Sequence, residues 1–229
     1  GSRCYDAFTC RWTSTDPLAH KYFGLSPYNY CGNDPVNRFD PDGRVVVFDD
    51  DCTEEFKAKF AEAIQYMNEK GTSYNFAKLQ ESKEVYTIKE DSNSTYIIED
   101  KTITWNPNVV SVSKSGIMRP PVTTLAHEAG HAIQHDSAIK EGNEAAFIES
   151  SKNGTDPNYD SISEKEVITK IEQYAAKKHG EISDWQVTRT NHSGKSFRII
   201  TINGKSVDLS GKQQSWISKY VGTYNQRIK

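Results

Sequence analysis

The residues best suited to chemistry in this chain are two histidines four positions apart, in the order His127-Glu128-Ala129-Gly130-His131. On an α-helix, residues i and i+4 lie on one face, one turn apart, so both imidazoles can reach the same metal ion. Glu128 stands beside the first histidine, where its carboxylate can take a proton from a water molecule that the metal activates. The spacing therefore predicts a hydrolytic zinc site with His127 and His131 as ligands and Glu128 as the general base.

The residues around this motif predict the helix that it needs. Apolar side chains recur through the segment 122–136, and a proline pair precedes it, which is tolerated where a helix begins. His135 continues the i+4 series, but it stands about 12 Å along the helix axis from His127. Three ligands in one line cannot surround one ion, so His135 is predicted to be a surface residue.

A catalytic zinc ion normally has three protein ligands, so a third ligand must come from elsewhere in the chain. In the helix predicted over 163–179, Glu164 projects near the centre of the apolar stripe. A buried carboxylate needs a partner, and a metal ion would supply one. Glu164 is therefore the predicted third ligand, while Glu144 and Glu172 stay open as alternatives. The acids considered are Glu141, Glu144, Glu149, Glu164, Glu166 and Glu172.

The remaining pattern predicts an α+β fold with a small antiparallel sheet. A helix is predicted over 54–70, ending at a glycine, and Lys101–Trp105 is predicted to be an edge strand that could pair with an extended peptide. Residues 140–161 are predicted to be a mixed loop. Hairpins are predicted between strands at 84–90 and 95–100, and around Asn203-Gly204 between strands at 197–202 and 206–209.

Composition and charge exclude several classes of function. Lys and Arg number 28 and Asp and Glu 31, so the net charge is −3 and no clustered basic face favours nucleic acid. No stretch approaches the ~18 consecutive apolar residues of a membrane span. All four cysteines lie in the first quarter of the chain, which excludes a cysteine nucleophile near the histidine motif. We expect a protein or peptide as substrate, no nucleic acid and no membrane span.

The first forty residues are rich in turns and carry an ordered series of short motifs. These motifs are Tyr5-Asp6, the run from Arg11 to Leu18, the run from Ser26 to Asn37, and Asp40-Pro41-Asp42-Gly43. In order and spacing they resemble the end of the core of Rhs/YD-repeat proteins, which are large exported bacterial proteins. The resemblance implies that residues 1–44 end such a core and that residues 45–229 form its variable domain, often a toxin or effector. It also implies secretion or delivery from the cell surface as part of a larger protein.

Residues 122–197 resemble the zincin-type effector domains found at the ends of Rhs and other polymorphic toxins. In these domains a loop follows the His-Glu-x-x-His helix, and a second helix then begins with an acidic residue just before a Val-Ile or Ala-Val pair. The run from Glu164 to Ile168 fits that pattern and places Glu164 at the ligand position. In some relatives a later segment is similar to the run from Arg189 to Lys195, in which His192 could bind the substrate carbonyl or stabilise an oxyanion.

This second resemblance implies a zincin-like metallopeptidase domain with Zn²⁺ as its metal and an immunity protein as a partner. An alternative from the residues themselves is a non-enzymatic cell-surface or interaction module whose metal is structural or lost. A metal hydrolase that acts on a non-peptide bond is a third hypothesis.

Overall fold

The computed structural model describes residues 4–15, 26–31, 38–39, 46–114, 116–153, 156–192, 194–198, 200–202 and 205–207, which form an α+β fold. The strands are β1 (Tyr5–Asp6), β2 (Arg11–Trp12), β3 (Arg38–Phe39), β4 (Val46–Phe48), β5 (Tyr86–Glu90), β6 (Thr95–Ile97), β7 (Thr102–Trp105), β8 (Val109–Ser113), β9 (Met118–Arg119), β10 (Gly194–Arg198), β11 (Ile200–Ile202) and β12 (Lys205–Val207). The helices are α1 (Glu54–Lys70), α2 (Tyr74–Gln80), α3 (Pro121–Lys140), α4 (Glu144–Asn153), α5 (Ile162–Glu166) and α6 (Gln173–His179), with a π-helical segment, Val167–Glu172, between α5 and α6.

The main sheet is mixed, with the strand order β3-β4-β5-β7-β6. Strands β4, β5 and β7 are parallel, while the outer strands β3 and β6 are antiparallel to their neighbours. The prediction of a small antiparallel sheet is therefore wrong for the main sheet, although β8, β9 and β10 do form such a sheet. Parallel neighbours need a crossover connection, and α1 and α2 provide it between β4 and β5.

Strand β6 forms a hairpin with β7 and not with β5, so the predicted pairing is wrong. Lys101 takes a left-handed conformation, with φ 56°, and its N–H donates to Ile98 O at 3.4 Å, which closes the turn between these strands. The segment before β6 instead passes across the end of β7, where Asn106 Nδ2 donates to Ser92 O at 2.8 Å. Strand β6 is consequently an edge strand and β7 lies inside the sheet. The prediction that Lys101–Trp105 forms the edge is wrong.

The apolar core lies between α1, α3 and the main sheet. Trp105 fills its centre and donates its indole N–H to Pro121 O at 2.8 Å, which ties β7 to the first turn of α3. Helix α1 has the predicted bounds: the Thr53 hydroxyl accepts from Phe56 N, and Gly71 ends the helix in the left-handed conformation. None of the described helices combines the length and the apolar character needed to span a bilayer.

The N-terminal segment contributes to two sheets. Strands β1 and β2 form a short hairpin in which Trp12 is buried against the rings of Tyr5 and Tyr30. Strand β3, which precedes the predicted boundary after residue 44, pairs with β4 in the main sheet. Several motif residues, including 16–18, 32–37 and 40–43, lie outside the described ranges, as does the Asn203-Gly204 turn. The strands on either side of that turn, β11 and β12, pair antiparallel.

Candidate metal centre

Helix α3 carries the histidine motif through the interior of the fold. The helix runs from Pro121 to Lys140, and its first ten residues are all buried. His127 and Glu128 are 4% and 7% exposed, whereas His131, one turn later, is partly exposed. The motif therefore starts inside the core and ends where the helix meets a cleft.

The two motif histidines and Glu164 present their ligand atoms to one point. His131 Nε2 lies 2.8 Å from Glu164 Oε2, and His127 Nε2 lies 3.3 Å from Glu164 Oε1. The two Nε2 atoms are 3.2 Å apart. Ligands about 2.0–2.1 Å from a tetrahedral ion lie about 3.3 Å from one another, so the separations suit one small metal ion. These three residues could hold a metal, and among the described residues no other such group meets.

Gly130, inside the motif, sets how closely the two ligand helices approach. A Cβ at this position would lie 2.7 Å from Ile171 Cδ1 and 3.0 Å from Val167 Cγ1 in the π-helical segment. Carbon atoms pack at about 3.5–4.0 Å, so a side chain at this position would push the helices apart. The glycine thus brings the helix that carries Glu164 against the face of α3 that carries the histidines.

Local hydrogen bonds hold Glu164 and His131 in place. Ser161 is the N-cap of α5, and its hydroxyl accepts from Glu164 N at 3.0 Å. Ser163 Oγ donates to Gln134 Oε1 at 2.6 Å, so its oxygen can accept the Nδ1–H of His131, which lies 3.3 Å away. That tautomer leaves the Nε2 lone pair of His131 directed at the shared point. Burial alone would raise the pKa of Glu164, but the two imidazoles hold that pKa far below its usual range.

Glu172 contacts the other side of His127. It is fully buried, with Oε2 lying 3.0 Å from His127 Nδ1, close enough for an ion pair but not aligned as a hydrogen bond. Arg119 Nη1 and Arg189 Nη2 donate to the same oxygen at 2.6 and 2.8 Å. Burial acts to raise the pKa of Glu172, and the charges of Arg119, His127 and Arg189 hold it well below the usual value. Glu172, which was an alternative for the third ligand, therefore contacts His127 at Nδ1 and does not face Nε2, the atom that would bind the metal.

The same carboxylates change the acidity of His127. Burial lowers its pKa, but the contacts to Glu164 and Glu172 outweigh burial and raise the pKa to about 9. The metal-free site therefore holds a proton that a metal ion must displace, because only a neutral imidazole can bind a metal.

A cleft of about 460 Å³ opens at the shared point of the three ligands. One side is formed by the edge strand β6, and another by α4, of which no residue is buried. Lys152 Nζ on α4 lies 2.9 Å from Glu99 Oε1 in the β6–β7 turn, so an ion pair joins α4 to this turn. Glu128 lines the cleft beside the ligands. The sequence predicted a mixed loop where α4 forms.

His192 also lines the cleft, close to the ligand set. Its Nε2 lies 3.2 Å from Glu164 Oε1, its Nδ1 pairs with Asp160, and its backbone N–H donates to Asn158 O at 2.9 Å. It does not belong to the group of residues whose ligand atoms meet. The structure therefore places His192 beside the candidate metal position, with its ring oriented by an acidic partner.

His135 is buried, so the prediction that it lies on the surface is wrong. It is 1% exposed; Tyr96 OH lies 2.7 Å from its Nδ1, and Glu144 Oε1 lies 3.1 Å from its Nε2. Phe147 of α4 stacks on its ring at a centroid distance of 5.4 Å. The cover that buries His135 is α4, which the sequence pattern did not reveal. Because Glu144 is engaged here, it does not face the three ligand atoms.

Comparison of the chain with protein-family models, with curated proteins and with solved structures finds no match. The resemblances to Rhs cores and to zincin-type effectors stay predictions. Sequence reasoning did not find Arg119, Arg189 or Asp160 as neighbours of the site. Arg189 and Asp160 flank the second ligand helix in the sequence. A search for charged residues close to the predicted ligand Glu164 would have found both.

Proposed function

We propose that this chain is a zinc-dependent peptidase, and the convergence of His127, His131 and Glu164 beside Glu128 is the observation that carries the proposal. Two imidazoles and one carboxylate form a donor set that suits zinc, whereas calcium and magnesium prefer oxygen ligands alone. A structural zinc ion takes four protein ligands, but a catalytic one keeps an open position. Three converging ligands at a cleft favour the catalytic alternative over a non-enzymatic module.

Zinc, when bound, supplies a Lewis acid that polarises a carbonyl and activates water at neutral pH. Glu128 lines the cleft and would accept the proton of the attacking water, then deliver it to the leaving amine. His192 would donate a hydrogen bond from Nε2 to the developing oxyanion, with Asp160 holding its Nδ1. Each role follows from the position of the side chain in the cleft.

The edge strand β6 gives a reason to prefer a peptide as the substrate. It lines the same cleft as Glu128, and among the described strands it has a neighbour, β7, on one side alone. An extended peptide can add to such an edge through main-chain hydrogen bonds, which places its carbonyl groups along the cleft. Hydrolysis of non-peptide bonds has no corresponding feature in the described residues.

The sequence motifs in residues 1–44 extend this proposal to the whole protein. We propose that the peptidase is the effector end of an exported bacterial Rhs-type protein, with a protein as target and an immunity protein as inhibitor. The support for this part is the order of the motifs from Tyr5-Asp6 to Asp40-Pro41-Asp42-Gly43.

The test is a Glu128→Gln variant, assayed for zinc content by plasma mass spectrometry and for cleavage of a mixed peptide library. We expect one zinc ion per chain in both proteins and a loss of cleavage of at least about 100-fold, in line with a missing general base. Glu62→Gln, on the exposed face of α1, is the control and should cleave normally. Undiminished cleavage by Glu128→Gln, or absence of zinc from the wild type, would refute the proposal.

A further inference from the structure

A second cavity, of about 150 Å³, adjoins the cleft at Glu128. It shares His127, Glu128 and His192 with the cleft, so a substrate bound in the cleft can extend into it. The remaining walls include two guanidinium groups, Arg119 and Arg189. The position of this cavity makes it a candidate for the group next to the scissile bond.

The lining of the second cavity is mainly polar and carries more positive than negative charge. Besides the arginines it contains hydroxyl and amide side chains, and Glu128 is its one carboxylate among the described residues. Both arginines donate to the same oxygen atom of the buried Glu172, and Arg189 Nη2 also donates to Glu164 Oε1 at 3.2 Å. Arg189 is therefore matched by two carboxylates, whereas Arg119 shares its one carboxylate among the described residues and leaves part of its positive charge toward the cavity.

Arg119 retains unused donors for a ligand. Its side chain lines the cavity and is 16% exposed, and among the described residues its one hydrogen bond runs from Nη1 to Glu172. A guanidinium group carries five N–H donors in a planar fork that matches a carboxylate. Arg119 lies in the short strand β9, and its contact with Glu172 holds the side chain in position.

We propose that the second cavity is a subsite for a carboxylate, so that the peptide cleaved in the cleft carries an acidic group beside the scissile bond. This inference rests on the proposed peptidase function. Bidentate and charge-assisted hydrogen bonds favour a carboxylate over the matching amide by roughly 10- to 100-fold. The carboxylate can belong to an Asp or Glu side chain or to a peptide C-terminus.

Binding to the zinc-loaded Glu128→Gln chain tests the subsite without requiring turnover. The probes are acetylated, amidated alanine hexapeptides with Glu or Gln at each position in turn, together with the free-acid form of the Gln peptides, titrated by calorimetry. We expect Glu at one position to bind at least 10-fold more tightly than Gln. Preference for the free acid alone would assign the carboxylate to the C-terminus.

Arg119→Lys, added to Glu128→Gln, tests the residue itself. Lysine keeps a charge near Glu172 but loses the fork, so the preference for Glu should fall to about threefold or less. Arg11→Lys, in the exposed part of β2, is the matched control and should keep the full preference. The Glu-to-Gln comparison in the parent protein stands even where the Arg119 variant does not fold.

The outcomes separate the two proposals. Peptides that bind with equal affinity whether they carry Glu, Gln or a free C-terminus would overturn the carboxylate subsite and leave the peptidase proposal intact. A preference for Glu that persists in Arg119→Lys would overturn the role of Arg119. Failure of every peptide to bind the zinc-loaded protein would overturn the peptidase proposal and the subsite with it.

Discussion

Replacing Glu172 by glutamine exchanges one oxygen for an NH₂ group, yet it removes the charge that three cationic groups share. The carboxylate is completely buried and lies 2.6 Å from Arg119, 2.8 Å from Arg189 and 3.0 Å from His127. Without it, Arg119 loses its one carboxylate partner among the described residues, and Arg189 keeps only Glu164. The substitution should therefore affect both folding and the geometry of the metal site.

The expected cost follows from the exposure of the arginines. Removing one partner of a buried ion pair costs about 3–5 kcal/mol. The side chains of Arg119 and Arg189 are 16% and 8% exposed, and Arg189 also lies 3.2 Å from Glu164. Contact with water and with Glu164 therefore reduces the cost below that of a fully buried pair. We expect the metal-free Glu172→Gln protein to lose about 2–4 kcal/mol of unfolding free energy. Loss of the carboxylate behind His127 should also weaken zinc binding by about 10- to 100-fold.

Urea unfolding in the presence of a chelator measures the first effect, and competition with a chromophoric chelator measures the second. Glu62→Gln is the matched control, because Glu62 is also a helical glutamate but lies on the exposed face of α1. It should change the unfolding free energy by no more than about 0.5 kcal/mol. Equal behaviour of the two variants in both assays would refute the reasoning. Arg119→Gln combined with Glu172→Gln should recover part of the lost stability, because it leaves one buried cation fewer without a partner.

Two further predictions concern the ligand helices. Gly130→Ala should reduce zinc affinity and lower the unfolding free energy by up to about 2 kcal/mol, because the cost of overpacking exceeds the helix propensity gained. In the same titrations, adding Ile171→Val should restore part of the zinc affinity and part of the stability. No loss in Gly130→Ala would contradict the close helix contact. The pKa of His127 is raised to about 9, so protonated His127 should stabilise the metal-free protein. This stabilisation should be complete below about pH 6.5 and should be lost as the pH rises to about 9. Zinc affinity should rise over the same range, since the ion displaces that proton, and calorimetric titrations that show no change would refute it.

The sequence was sufficient where one pattern determined one element. The 3–4 spacing of apolar residues predicted α1 correctly, and the position of Glu164 on the apolar stripe predicted which acid the structure brings to the histidines. It failed where a choice depended on distant parts of the chain. Alternation predicts strands but not which two strands pair, so β6 was paired with β5. His135 had the pattern of a surface residue because the helix that covers it, α4, has no buried face of its own.

Glu172 shows a different limit, because its position depends on a helix type that sequence patterns do not reveal. Eight residues of α-helix turn through about 800°, which would place Glu172 about 80° away from Glu164. A π-helix has about 4.4 residues per turn, or about 82° per residue, so it removes most of that difference. The hydrogen bond from Gln173 N–H to Ile168 O spans five residues, as a π-helix requires.

The π-helical segment therefore brings two carboxylates of one helix to the same side, where they contact the two nitrogens of one imidazole. Glu164 lies next to His127 Nε2 and Glu172 next to His127 Nδ1. If the same residues formed a regular α-helix, Glu172 would lie at the margin of the apolar stripe. Such a segment gives up regular hydrogen bonding, and segments of this kind are frequent at functional sites. Here the irregular turn allows one helix to supply both a candidate ligand and the residue that orients another ligand.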